Sequence, residues 1–151
     1  MDKIVKMLCK SLSYVKHEIV GDTIFIFVRS LKKSVNCPYC ARSSSKVHSL
    51  YKRSFQDLPI QDKKVVYVLK NRKFFCHNSY CVHKTFAESY DFLAFKGKMT
   101  KRLEKSIVEQ SLHVSSLTAS KQFKRGFAKV GKSTICNLLK KMKNSSSRIK
   151  N

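Results

Sequence analysis

The sequence predicts an α+β chain, with a β-rich part through residue 91 and a helical part after it. Three observations carry that prediction. β-Branched and aromatic residues cluster in strand-length runs before residue 91, two close pairs of cysteines each follow such a run, and beyond it apolar residues recur at intervals of three and four. Charge divides at the same place: residues 1–91 hold 17 Lys and Arg against 7 Asp and Glu, whereas residues 92–151 hold 15 against 2.

In the first part, residues 14–20 and 23–31 read as two strands joined by Gly21-Asp22, a two-residue hairpin signal. A weaker strand is expected over residues 46–53, ending before the turn-like Asp57-Leu58-Pro59. Val65, Val66, Tyr67, Val68 and Leu69 lead a strong strand into Phe74-Phe75-Cys76, with both phenylalanines read as core. In the second part, Leu103, Ile107, Val108 and Leu112 form an apolar stripe about three turns long. Leu117 and Phe123 mark a second, shorter helix that Gly126 ends, and Ile135, Leu138, Leu139 and Met142 a third. The expected organisation is a β-rich domain over 1–91, a helical domain over 92–144 and a disordered polar tail over 145–151.

Composition bounds the function classes. With 42% hydrophobic residues among 151, the chain has the make-up of a folded protein, yet 32 Lys and Arg against 9 Asp and Glu give a formal charge of +23. Such a chain repels itself unless a polyanion neutralises it, and the obvious polyanions are nucleic acid or an anionic membrane surface. The longest uninterrupted apolar run, residues 24–28, is far short of the roughly 20 residues of a spanning helix. Asp2, Lys3, Lys6 and Lys10 break the opening segment, so it lacks the apolar centre of a signal peptide. The expectation is a cytoplasmic protein with no membrane contact.

In a reducing compartment six cysteines argue for metal rather than disulfides. Cys37-Pro38-Tyr39-Cys40 and Cys76-His77-Asn78-Ser79-Tyr80-Cys81 are two close pairs, each after a strand. A tight turn sets both thiolates of a pair on one ion, and zinc takes four such ligands tetrahedrally. Cys37, Cys40, Cys76 and Cys81 are therefore the candidate zinc ligands of a ribbon with no open position for chemistry. Two alternatives stand beside this: cysteines buried without metal, and His77 or His83 replacing one thiolate. Cys9 and Cys136 have no nearby partner and read as ordinary helix residues.

On a helical wheel residues 132–144 separate into two faces, with Ser133, Thr134, Asn137, Lys140 and Lys141 on or near the side away from the apolar stripe. Asn can bond an adenine edge bidentately and lysines suit phosphates. Lys121, Lys124, Arg125 and Lys132 crowd the connection before that helix, so these nine residues are the candidate DNA contacts of a helix-turn-helix-like segment. The connection over 126–132 is longer than the three or four residues of the simplest such turn. A solvated lysine face on a packing helix is the plainer alternative.

Taken in order, Cys37-Pro38-Tyr39-Cys40, Val47-His48-Ser49 with Tyr51 and Arg53, Asp57-Leu58-Pro59, Arg72-Lys73-Phe74-Phe75-Cys76, Cys81 and Thr85-Phe86-Ala87-Glu88 resemble the N-terminal part of insertion-sequence transposases of the ISL-three type. The resemblance implies a zinc-binding region followed by a helix-turn-helix, together recognising the terminal inverted repeats of a transposon. In complete members a catalytic domain with an acidic metal-binding triad follows. Here the only acids after Asp91 are Glu104 and Glu109, so the expectation is a chain without that domain, without catalytic residues and not an enzyme. Ala41 stands where the family commonly has glycine. The predicted function is sequence-preferring binding of double-stranded DNA at transposon-end-like sites. The rivals are an RNA- or single-strand-binding zinc-ribbon module and an active nuclease or transposase.

Overall fold

Two long strands organise the molecule, whose computed structural model describes residues 1–148. Strand β5 (Val47–Ile60) and strand β6 (Lys63–Phe75) pair antiparallel as a hairpin of 14 and 13 residues. At roughly 3.3 Å per residue this is a spine about 45 Å long. The tip is Gln61-Asp62, with φ of 49° and 60°. Positive φ at both central residues is the geometry whose twist matches a hairpin.

The strand therefore runs through Asp57-Leu58-Pro59, where the sequence predicted a turn. The ladder is irregular between Asp57 and Ile60, so the missing N–H of Pro59 costs no regular bond. Asp57 itself is fully buried. Its carboxylate accepts from the Thr100 hydroxyl at 2.6 Å and from Nε of Arg102 at 2.8 Å, with Arg102 Nη2 on its other oxygen.

Strand β1 (Leu12–Val20) and strand β2 (Thr23–Ser30) form the expected hairpin, with Gly21 at φ 58°. Strand β2 then lies parallel to β6, from Thr23 opposite Lys64 to Arg29 opposite Lys70, giving the order β1-β2-β6-β5. Past the end of β2, the short strand β7 (Thr85–Ala87) takes its place on β6. One sheet face buries Ile24, Ile26, Val28, Phe55, Val65, Tyr67 and Leu69 with Tyr90 and Leu93. The helix α1 (Asp2–Leu8), to which the sequence pointed only through the reading of Cys9 as a helix residue, places Val5 in this core. Seven residues give too little periodicity to announce a helix, and packing holds it. Cys9 ends α1 in extended backbone rather than lying within it.

Helix α2 (Lys101–Ser111) and helix α3 (Ser116–Lys124) start on side-chain caps, Thr100 accepting from the Leu103 N–H and Ser115 from the Thr118 N–H. Helix α4 (Lys132–Arg148) is the longest. A second core gathers Met99, Leu103, Ile107, Ala119, Phe123, Ala128, Val130 and Ile135, with Leu58 of β5 against it. Leu112 and Leu117, expected in the apolar stripes, are exposed; Ala119, Ser120 and Phe123 form the buried side of α3 instead. Of the expected polar tail, residues 145–148 are helical. Ser145 and Ser146 return their hydroxyls to the carbonyls of Lys141 and Met142, which satisfies serines inside a helix. Residues 149–151 lie outside the described residues.

The helices grip the hairpin tip from several sides. The Gln56 side chain donates to the Lys129 carbonyl and accepts from the Lys129 N–H, at 3.2 and 2.7 Å. Gln56 also exchanges backbone bonds with Lys98 and Thr100. Gly126, at φ 137°, passes so close to the tip that an added Cβ would stand 2.8 Å from the Asp62 carbonyl oxygen.

Candidate metal centre and basic helical face

The far end of the spine carries the cysteines. Strand β3 (Val35–Asn36) delivers Cys37, and β6 delivers Cys76 directly after Phe75. Two turns then complete the pairs. In the first, the Ala41 N–H donates to the Cys37 carbonyl and the Cys37 N–H to Arg42, which opens the two-residue strand β4 (Ser43–Ser44). Ala41 adopts φ 61°, a left-handed conformation in which its Cβ is strained. In the second, Asn78 accepts from the Tyr80 N–H through its side chain and from the Cys81 N–H through its carbonyl.

These turns bring the sulfurs of Cys37, Cys40, Cys76 and Cys81 within 4.8 Å of one another, with Cys40 and Cys76 at 3.6 Å. Sulfurs bonded to one zinc at about 2.3 Å lie roughly 3.7 Å apart, so the spacing fits a single tetrahedral ion. No disulfide links them, and Cys37, Cys76 and Cys81 are buried. Four free thiols facing one point have little reason to be there other than a thiophilic cation. The backbone N–H of Arg42 and the side chain of Asn78 draw the Cys40 thiol down to about 6. At Cys76 the Asn78 backbone N–H acts the same way, but burial and the neighbouring thiols push it up to about 12. A divalent ion held there would displace the thiol protons and take the four sulfurs as ligands. Neither His77 nor His83 belongs to the cluster; His83 stacks on Tyr39 at 3.5 Å between ring centroids, joining the two turns.

Beneath the sulfurs lie Phe74 and Phe86, stacked at 5.9 Å. Phe75, expected in the core with Phe74, is only half-buried and lies against His48 and under Lys46. Successive residues of a strand face opposite ways, so only one of the two can enter the core. Arg72 and Glu88, noticed only as pieces of an ordered motif, form the joint of this end. Arg72 grips both carboxylate oxygens of the buried Glu88, and the Ser30 hydroxyl donates to one of them at 2.6 Å.

At the other end of the spine, Ile135 is fully buried while Lys132, Ser133, Asn137, Lys140 and Lys141 are exposed on α4, with Thr134 half-buried. Lys121 and Lys124 are exposed on α3, and Arg125 follows them. The structure thus brings eight of the nine candidate contacts to the exposed surface of one helical unit. Lys141 is less free than its neighbours, because it reaches Glu104 of α2 at 3.7 Å. Four residues join α2 to α3, and seven join α3 to α4. The short turn therefore precedes α3 rather than α4. No helix among the described residues is long and apolar enough to cross a membrane.

Compared with known families, residues 33–81 match the zinc-finger of transposase IS204/IS1001/IS1096/IS1165, about a third of the chain. The matched segment holds all four cysteines and the β5–β6 spine. It makes this end of the molecule similar to the zinc ribbon of a nucleic-acid-acting protein and fixes zinc as the ion its donor set suits. No curated protein and no solved structure matches the chain.

Proposed function

We propose that the chain is a zinc-stabilised module that binds duplex DNA with sequence preference through its helical end, at sites like transposon ends, and does no strand chemistry of its own. One observation carries the reading: α4 buries Ile135 in the helical core and turns Ser133, Asn137 and Lys140 outward, on a unit whose other exposed side chains include Lys121, Lys124 and Arg125. Hydrogen-bonding groups flanked by cations on a rigid helix suit base edges and phosphates together. In this reading Asn137 and Ser133 read bases, and Lys140, Lys124 and Arg125 hold phosphates. The similarity of residues 33–81 to a transposase zinc-finger supports nucleic acid as the partner. Among the described residues the four cysteines are the only group of three or more potential metal ligands, and the buried carboxylates of Asp57 and Glu88 are held by Arg102 and Arg72. That arrangement favours a binding role over metal-assisted strand cleavage.

The test is selection of binding sites from a pool of randomised duplexes. An enriched sequence is expected. Asn137→Ala then relaxes preference at one or two positions by about 1–3 kcal/mol each. Lys140→Gln weakens binding to every sequence and lowers the salt slope by about 0.9. Absence of any enriched sequence removes the sequence preference, and nicking of plasmid DNA by the purified chain with magnesium or manganese removes the non-catalytic role.

A further inference from the structure

The sheet face opposite its core is open in the middle, and its side chains form an arrangement the helical reading does not use. Across three adjacent strands Arg29, Lys70 and Lys52 stand in register, Arg29 opposite Lys70 and Lys70 opposite Lys52. With strands about 4.8 Å apart, three cations fall within roughly 10 Å. Like charges directly opposite one another destabilise a sheet, and all three are exposed. Among the described residues none of them has an ion pair with a carboxylate.

The next row is of a different kind. Lys16 lies opposite Phe27, and Phe27 opposite Val68. Phe27 is half-buried, with the Lys16 ammonium 4.7 Å from its ring centroid. This row and the half-exposed Leu50 line the two sides of a groove of about 600 Å³, and the cation row crosses it between them. On the same alternate positions of the spine, Phe74 is buried under the zinc turns at one end and Gln56 is held by Lys129 at the other. The groove lies between the two built ends of the molecule.

We infer that this groove is a second nucleic-acid site, and that its occupant is a single strand with unpaired bases. A row of cations without acidic partners calls for a polyanion. A duplex keeps the faces of its bases stacked inside, so it has no ring face to lay on an apolar floor. An unpaired strand has one: its phosphates meet Arg29, Lys70 and Lys52 while a base stacks on Phe27, displacing Lys16, which stays paired with Glu18 at 2.5 Å. A second copy of this chain would bring the same three cations against themselves, which disfavours it.

The test uses the zinc-loaded full chain, with anisotropy titrations of a labelled oligothymidylate and of a labelled duplex. Lys52→Gln and Lys70→Gln together are expected to weaken oligothymidylate binding at least tenfold and to lower its salt slope by about 0.7 per residue, with duplex affinity within twofold. Phe27→Leu keeps the apolar volume but removes the ring, and is expected to weaken it about five- to tenfold. Lys140→Gln is expected to do the reverse, lowering duplex affinity alone. Failure of the helical reading would show as an unaffected duplex in Lys140→Gln, a separate outcome. Unchanged oligothymidylate affinity in the sheet variants would overturn the inference. So would a dimer that dissolves in those variants, which makes the face a copy–copy contact. Competition by polyglutamate as strong as by the oligonucleotide, indifferent to Phe27→Leu, would likewise overturn it by showing an unspecific acid-binding patch.

Discussion

The two ends of the β5–β6 hairpin solve one problem in different ways. At the helical end eight buried residues from three helices and their connections close a core over the hairpin tip, and Asp57–Arg102 locks it there. At the zinc end the buried cluster is Cys37, Cys76 and Cys81 with Phe74 and Phe86, and the strands that present the first cysteine pair are two residues long. Subtract the sulfurs and two aromatic rings remain, too little apolar surface to order two loops. One end is held by burial, the other by a metal. The first can therefore carry a reading surface that keeps its shape, while the second depends on metal supply.

The sharpest way to break this contrast is to take the metal away. Chelation, or Cys81→Ser, is expected to release the two cysteine turns and β3–β4, removing most of the roughly 10–16 kcal/mol that a structural zinc can contribute. Hydrogen exchange should show those segments unprotected while α2, α3 and α4 keep their protection. Equal loss at both ends would show that the helices depend on the metal too.

The next effect attacks the helical end. Arg102→Ala leaves the Asp57 carboxylate buried with only the Thr100 hydroxyl on it. Breaking a buried pair costs about 3–5 kcal/mol, and because Arg102 keeps some contact with water about 2–3 kcal/mol is expected here. The loss should appear in denaturant unfolding of the zinc-loaded chain, with zinc content unchanged.

Two backbone positions give the smallest and most local comparison. Gly126→Ala sets a Cβ against the Asp62 carbonyl in a conformation that favours glycine, and should destabilise the helical end by about 1–3 kcal/mol. Ala41→Gly relieves a left-handed alanine in the first cysteine turn and should stabilise the zinc-loaded chain by roughly 0.5 kcal/mol, after the added flexibility of the unfolded state. Opposite signs in thermal unfolding are the expected result.

What the sequence made legible follows the local signals. The β1–β2 hairpin, the four clustered cysteines and the three later helices were all readable from turn residues, pair spacing and periodicity. The parallel pairing of β2 with β6 was not, because a parallel ladder leaves no mark at either strand. Asp57-Leu58-Pro59 read as a turn because its composition is that of one, whereas burial of the aspartate beneath Arg102, 45 positions on, keeps it in the strand. Leu117 read as core because leucine usually is; α3 instead buries small residues, Ala119 and Ser120, where its neighbours come close. Ala41 was noticed as a departure from glycine, and φ 61° is the physical reason such a position favours glycine. The cation row was invisible because Arg29, Lys52 and Lys70 meet only through the sheet register.

In the function proposed above, duplex DNA binds at the helical end and the zinc end serves to hold the spine. Hydrogen exchange of the zinc-loaded chain, with and without the duplex enriched by selection, tests it most directly. Added protection is expected across α3, the 125–131 connection and the first turns of α4, with the cysteine turns unchanged. Protection confined to the cysteine turns and β3–β4, with α4 exchanging as in the free chain, would contradict it.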